Sequence, residues 1–185
     1  MARQGLLPKH LATCRIPACT ACLYGRATKR PWRTKPNKRF ISTDSLKHKG
    51  AVSVDMLHSP IPGLVAQMTG NLTTKRYNFA TVYIHVTTGY SYIQLQESSS
   101  AKETLAGKQA FENHCKEHKI TVTHYHADNG TFRAHAWRED CTAKGQRLTF
   151  AGANAHFQNG IAEQRIRILQ ELTRTTLLHA AQKWP

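Results

Sequence analysis

Residues 79–86 read FATVYIHV, an almost continuous run of β-branched and aromatic side chains. A run of that kind fits a central strand buried on both faces of a sheet. The segments around it supply neighbours for such a strand. Upstream, Val52 and Val54 alternate with Ser53 and Asp55, so one strand face is apolar and the other carries a carboxylate. Downstream, Thr88-Gly89 marks a turn and 90–95 returns as a partner strand. Ser100 stands three residues before Glu103, a capping-box spacing. Ala101, Leu105, Ala106, Ala110, Phe111 and Cys115 then recur at helical intervals, which predicts an amphipathic helix over 101–118. Residues 120–127 (ITVTHYHA) read as a fourth strand with Asp128 at its end. Residues 131–144 read as helical, 147–150 as a short edge strand, 151–160 (AGANAHFQNG) as a flexible loop, and 160–181 as a final helix.

The chain has 185 residues, enough to bury a core without disulfides. Its longest apolar runs are only a few residues, too short for a membrane-spanning helix. Met1 is followed by polar and basic residues, which argues against a secretory signal. Five cysteines, an odd number, do not make a secreted disulfide framework and point to a reducing, intracellular compartment.

Lys and Arg number 26 against 11 Asp and Glu, a formal charge of +15. Residues 1–50 hold 12 of the cations and one acid, Asp44, for +11; residues 51–185 hold 14 cations and 10 acids, for +4. A chain so lopsided is expected to meet a polyanion, usually nucleic acid, although a solvated basic linker would look the same. The pattern divides the chain into a Cys-bearing head at 1–25, a basic linker at 26–49 and a folded domain at 50–185. In the linker, Arg26, Lys29, Arg30 and Arg33 are candidate DNA contacts, set among Pro31 and Pro36.

Most of the acids have a plain structural reading. Glu97, Glu103, Glu112, Glu117 and Glu171 fall on or beside solvated helix faces, and Glu139-Asp140 in a polar helix. Asp55, Asp128 and Glu163 do not fit so easily. Asp128 can start an Asx-turn before Asn129-Gly130, and Glu163 can favour a helix dipole. Taken together, three carboxylates from two strands and a helix can also hold Mg²⁺ or Mn²⁺. Two such ions about 4 Å apart clamp the attacking and leaving oxygens of phosphoryl transfer.

The residues that carry a resemblance are Cys19-x-x-Cys22 with GRATKRPWR after it, VSVDML at 52–57, LTTKRYNFATVYI at 72–84, AKETLAGKQAFENHC at 101–115, YHADNGTF at 125–132 and KGQRLTFAGANAHFQNGIAEQRI at 144–166. In these the chain resembles the integrases of copia-type LTR retrotransposons, members of the RNase H-like superfamily. The resemblance implies an α/β fold, a mixed five-stranded sheet flanked by helices. It implies Asp55, Asp128 and Glu163 as the catalytic residues that hold two Mg²⁺ or Mn²⁺ ions, and integration of element DNA into target DNA as the activity. It also implies homo-oligomers of the full-length protein, and a retrotransposon particle in the nucleus or cytoplasm as the setting. An RNase H-like nuclease and an inactive DNA-binding remnant are the alternatives.

His85 stands where the family often has an acid, and Phe157 where a second His is common. Cys19 and Cys22 are half of the family's zinc site. The upstream His pair is absent, so Zn²⁺ is expected only at an incomplete site, and the chain is expected to be a fragment that stops before the last helix of the core. Cys115 and Cys141 are expected in the core. On the last helix, at about 100° per residue, Glu163, Arg167, Gln170 and Arg174 share one stripe, a track for DNA phosphates. Asn159, one turn earlier, is a candidate contact to the DNA terminus.

Overall fold

A computed structural model describes residues 19–27, 49–63, 74–152 and 159–181. Its elements run α1 (Thr20–Gly25), β1 (Ala51–Gly63), β2 (Tyr77–His85), β3 (Ser91–Gln96), α2 (Ala101–Glu117), β4 (His124–Ala127), α3 (His135–Ala143), β5 (Arg147–Phe150) and α4 (Gly160–Ala181). The five strands form one sheet in the order β3-β2-β1-β4-β5. The β1–β2 and β2–β3 pairs are antiparallel and the β1–β4 and β4–β5 pairs parallel. The mixed five-stranded sheet flanked by helices expected from the sequence is therefore present. The chain falls into two compact units, Pro36–Arg167, and Met1–Lys35 with Ile168–Pro185. The sheet, α2 and α3 lie in the first, and α1 with the greater part of α4 in the second. Most of the basic linker, including Lys29, Arg30 and Arg33, lies outside the described residues, as does Phe157.

Strand alternation separates two faces of the sheet. Val52 and Val54 of β1, Tyr83 of β2, and Tyr125 and Ala127 of β4 enter one core with Phe111 and Cys115 of α2, Phe132, and Trp137 and Cys141 of α3. The Tyr83 ring stacks on Phe111 at 4.6 Å, and Tyr125 meets Trp137 edge-on at 5.7 Å. Each such aromatic pair adds about 1 kcal/mol to its area burial. Cys115 and Cys141 are buried as expected, and burial pushes both thiols up to about 11, so neither is a thiolate at neutral pH.

The parallel β1–β4 pair begins at Gly50. Its carbonyl accepts the amides of Thr123 at 3.0 Å and His124 at 3.4 Å, just ahead of the ladder that sets Ala51 beside His124. Gly50 has φ of +87°, and a Cβ there would lie 2.5 Å from the Thr121 carbonyl oxygen. Only glycine meets both conditions.

Several boundaries differ from the sequence reading. The strand expected at 120–127 starts at His124, because 118–120 finish α2 in a Schellman turn. Lys119 takes φ of +57°, its amide donates to the Lys116 carbonyl, and the Ile120 amide donates to the Cys115 carbonyl. The helix expected at 131–144 is a 3₁₀ turn, Thr131–Arg133, then α3. The two are separated by Ala134, whose ψ of 139° is extended. β1 runs on to Gly63 beyond its buried start: its ladder with β2 is continuous from Val52 to His58, breaks in register, and closes with Gly63 opposite Tyr77.

The inward face of α2 also differs. Ala106 is exposed, and the buried positions are Thr104, Gly107, Lys108, Phe111, Glu112 and Cys115. Glu112, read as solvated, is 5% exposed, beside a fully buried Lys108. The Lys108 ammonium donates to Glu112 at 2.6 Å, to Gln146 at 2.8 Å and to Asp140. Lys144 reaches Glu112 at 2.6 Å and Asp140 at 2.9 Å, and the Tyr125 hydroxyl donates to Glu112 at 2.9 Å. The ammonium also lies 5.1 Å from the centre of the Tyr125 ring. Burial alone would raise the Glu112 and Asp140 carboxyls, but the hydrogen bonds from the two lysines outweigh it and hold both below their ordinary values. Desolvation costs several kcal/mol per ion, so the network is stable only while every member is paired.

Two outcomes follow. Replacing Gly50 with Ala lowers stability by about 2–4 kcal/mol in urea unfolding, from left-handed strain plus the contact with Thr121. Lys108→Met, which leaves the buried Glu112 and half-buried Asp140 carboxylates to Lys144, costs about 3 kcal/mol at pH 7. Because both folded carboxyls titrate below their unfolded values, their stabilising contribution is complete above the unfolded values and is lost as pH falls through the folded ones. The wild-type advantage over Lys108→Met therefore shrinks below about pH 4, as measured by unfolding across a pH series.

Candidate functional site

The sheet face opposite the aromatic core is polar over its central strands. Ser53 pairs in register with His126. The twofold strand period puts Asp55 on the same face of β1 as Ser53, and Asp128 directly follows Ala127, the last residue of β4. His124 and His126 of β4 both hydrogen-bond the Thr149 hydroxyl of β5, at 2.7 and 2.9 Å. Asp55 and Asp128 are half-buried. One Asp55 oxygen accepts the Met56 amide at 2.8 Å, and one Asp128 oxygen accepts the Gly130 amide at 3.2 Å. The Asx-turn at Asp128 is thus present. It uses one of about four acceptor positions on the carboxylate, so it is compatible with a second role.

Asn159 brings the start of α4 to this face. Its side-chain oxygen accepts the Ser53 hydroxyl at 2.8 Å, and its side-chain nitrogen donates to the Val54 carbonyl at 3.0 Å. It is 2% exposed. The sequence reading made Asn159 a candidate contact to a DNA terminus; in the structure its side-chain amide pins α4 to β1. Arg165 adds a second tie, donating to the Gly89 carbonyl at 2.9 Å. Glu163 follows Asn159 by one helical turn and is exposed, as is Arg167. Gln170 and Arg174 are exposed further along α4, and Arg174 donates to the Gly25 carbonyl at 3.4 Å. Arg26 ends α1 as its C-cap. His85 is buried at the end of β2, bonded to the Thr88 hydroxyl at 2.8 Å. Burial pushes its pKa down, so it is a neutral turn-fixing group.

The donor set of Asp55, Asp128 and Glu163 suits Mg²⁺ or Mn²⁺, since all three offer hard oxygen ligands from separate elements. Among the described residues, however, the group of three metal-capable side chains whose ligand atoms all lie within 4.8 Å of one another is Cys19, Cys22 and His179. Cys19 and Cys22 form a half-site in the sequence. The third member was missed, because 156 residues separate His179 from Cys22 and nothing in the spacing links them. Cys19 is the N-cap of α1, and its sulfur accepts the Cys22 amide at 3.3 Å. That amide hydrogen bond lowers the Cys19 thiol, while the hydrogen bond between the two sulfurs raises that of Cys22. These three residues are a candidate metal-binding cluster.

No described helix is long and apolar enough to cross a membrane. No sequence-family profile matches the chain, and no curated protein matches it in sequence. Solved structures do. The HTLV-2 integrase catalytic core domain, in complex with magnesium in a dimeric form, gives a TM-score of 0.50 at 17% identity, covering 74% of this chain and 77% of that one. A chain of the simian T-cell lymphotropic virus intasome, in complex with the PP2A regulatory subunit B56 gamma, gives 0.51 at 16% identity, covering 66% of this chain and 38% of that one. The catalytic core domain of BIV integrase gives 0.49 at 18% identity, covering 67% and 68%. The chain has the RNase H-like α/β fold, and shares it with retroviral integrase catalytic cores.

Proposed function

We propose that this chain is the catalytic core of a copia-type retrotransposon integrase, a polynucleotidyl transferase that joins 3′ ends of element DNA to target DNA. The observation that carries the reading is the polar sheet face. Strand alternation puts Asp55 on the Ser53 side of β1, Asp128 directly follows the neighbouring strand β4, and Asn159 ties the helix bearing Glu163 to Ser53 on that face. The magnesium in the HTLV-2 core of the same fold supports the choice of ion. Asp55, Asp128 and Glu163 would hold two Mg²⁺ or Mn²⁺ ions, which when bound supply positive charge to the attacking 3′-hydroxyl and the leaving oxygen. The carboxylates act as ligands and not as nucleophiles, so no covalent enzyme intermediate is needed. Arg167, Gln170 and Arg174 offer exposed donors to the DNA backbone, where such contacts fix position rather than sequence. The basic segment 26–49 adds nonspecific attraction, with Arg26, Lys29, Arg30 and Arg33 as contacts. The dimeric HTLV-2 core supports a homo-oligomer, and the setting is a retrotransposon particle in the nucleus or cytoplasm.

The test is a strand-transfer assay with a labelled oligonucleotide duplex and Mg²⁺ or Mn²⁺. Joined products longer than the substrate are expected. Shortened products alone would assign water as the attacker and make the chain a nuclease. Asp55→Asn, Asp128→Asn and Glu163→Gln each remove several kcal/mol of charge stabilisation, a loss on the order of 10³-fold in rate, with thermal unfolding near that of the wild type. Undiminished activity in any of the three would remove that residue from the site.

The linker has its own measurement. Changing Lys29, Arg30, Arg33, Lys35, Lys38 and Arg39 to Gln in the full chain should weaken DNA binding. It should also flatten the log–log salt dependence by up to about 5 in slope, at about 0.9 per phosphate contact. An unchanged slope would mean that the segment does not touch DNA.

A further inference from the structure

We propose that His114 and His118 chelate one divalent transition-metal ion of the kind imidazole prefers, Zn²⁺ among them, at the C-terminal end of α2. The site uses neither the carboxylates nor the cysteine cluster and does not depend on the role of either. The two residues are spaced i, i+4, which places them on one helix face. The His118 amide donates to the His114 carbonyl at 3.3 Å, so the turn between them is intact. Their ring centres lie 4.6 Å apart. Zn–N bonds of about 2.05 Å put each ring centre about 3.2 Å from a shared ion, so two ligating rings at about 90–110° stand about 4.5–5.2 Å apart. The observed separation lies inside that range. The rings meet edge-on, at 71°. Rotation about each Cβ–Cγ bond leaves the ring centres in place while it turns the lone pairs, which is the movement a shared ion requires in a two-histidine helix site.

Packing holds the two rings. Tyr90 stacks on His114 at 5.7 Å, Tyr92 tilts against it at 5.5 Å, and Tyr90 also meets His118 at 6.4 Å. Tyr92 lies in turn 5.8 Å from the buried Phe111, so the histidines stand against a wall anchored in the core. Rings already restricted in this way lose less freedom when they bind. One Glu117 carboxylate oxygen lies 3.6 Å from Nδ1 of His114. A carboxylate on one imidazole nitrogen is the outer partner that metal-bound histidines carry. It keeps the proton on Nδ1 and leaves Nε2 for the ion. Cys115, between the two histidines in sequence, is buried in the core with its thiol pushed up to about 11, and is not a ligand.

Donor chemistry selects the ion. Two neutral imidazoles suit Zn²⁺, Ni²⁺ and Cu²⁺ and do not suit Mg²⁺, which takes oxygen ligands. The helix end adds to this, because the last carbonyls of α2 carry the negative pole of its dipole and favour a cation within the final turn. Water completes the coordination, so the site is open, unlike a structural zinc site closed by four protein ligands. The run His114-Cys115-Lys116-Glu117-His118 is also H-x-x-E-H, a pattern in which histidines hold zinc beside a glutamate. Here Glu117 faces Nδ1 of His114, which makes it an outer partner rather than a base.

The experiment follows the imidazole nitrogen NMR signals of the full chain as Zn²⁺ is added. Excess Mg²⁺ is present to occupy the carboxylates, and Cys19→Ser with Cys22→Ser removes the cysteine cluster. The His114 and His118 rings should respond together, at one equivalent, with Nδ1 of His114 keeping its proton. Ni²⁺ should compete for the same rings, and further Mg²⁺ should not. His114→Ala and His118→Ala should each weaken Zn²⁺ binding at the remaining ring by more than the roughly 10–100-fold that losing an outer partner costs. Glu117→Gln should weaken it by about tenfold, the lower end of that range. His135→Ala, which removes an exposed histidine on α3, should leave the response unchanged. Separate responses of the two rings, a His118→Ala chain that holds Zn²⁺ at His114 with undiminished affinity, or coordination through Nδ1 of His114 would overturn the proposal.

Discussion

The parallel pairing of β1 with β4 is the constraint on which the rest of the sheet depends. It is seeded at Gly50, whose left-handed conformation and bare Cα let the chain pass against Thr121 and Thr123. The register fixed there decides two things at once. It sends Val52, Val54, Tyr125 and Ala127 into the aromatic core, and it leaves Ser53, Asp55 and His126 on the opposite face. A slip of one residue would exchange these sets, burying the Asp55 carboxylate among aromatic rings. Core packing and the side of β1 on which Asp55 stands are therefore one structural decision.

The second organising element is the ionic cluster between α2, α3 and the β5 edge. Lys108 is fully buried and acts as a hub for Glu112, Asp140 and Gln146, with aromatic rings beside it. An apolar residue of the same volume could supply comparable stability. What the cluster adds is geometry: a charged hub with directional partners ties α2 to α3 and to the residue before β5. It also consumes two of the chain's few acids in a structural role, which narrows the set available for metal chemistry.

The carboxylate face and the cysteine cluster differ in kind. The carboxylate face is made of hard oxygen donors held by strand register and by Asn159. The Cys19–Cys22–His179 cluster is made of soft donors from α1 and α4. Each selects a different ion by donor type alone.

The sequence by itself determined the order of the elements, the polar and apolar faces of β1, the turn at Asp128 and the core positions of Cys115 and Cys141. These follow from local periodicity and turn chemistry, which need no knowledge of distant partners. It also picked out Asn159, as a candidate contact to a DNA terminus. Only tertiary structure decided that Glu112 and Lys108 face inward, because a buried charge is tolerable only beside partners 32 to 38 residues away, such as Lys144, Asp140 and Gln146. Only tertiary structure turned Asn159 into a pin on Ser53 and Val54, more than 100 residues earlier. It likewise brought His179 to a cysteine pair at the other end of the chain. The cause is the same in each case: hydrogen-bond partners and metal ligands must meet within a few ångströms in space, and no spacing rule along the chain encodes a meeting that the fold makes.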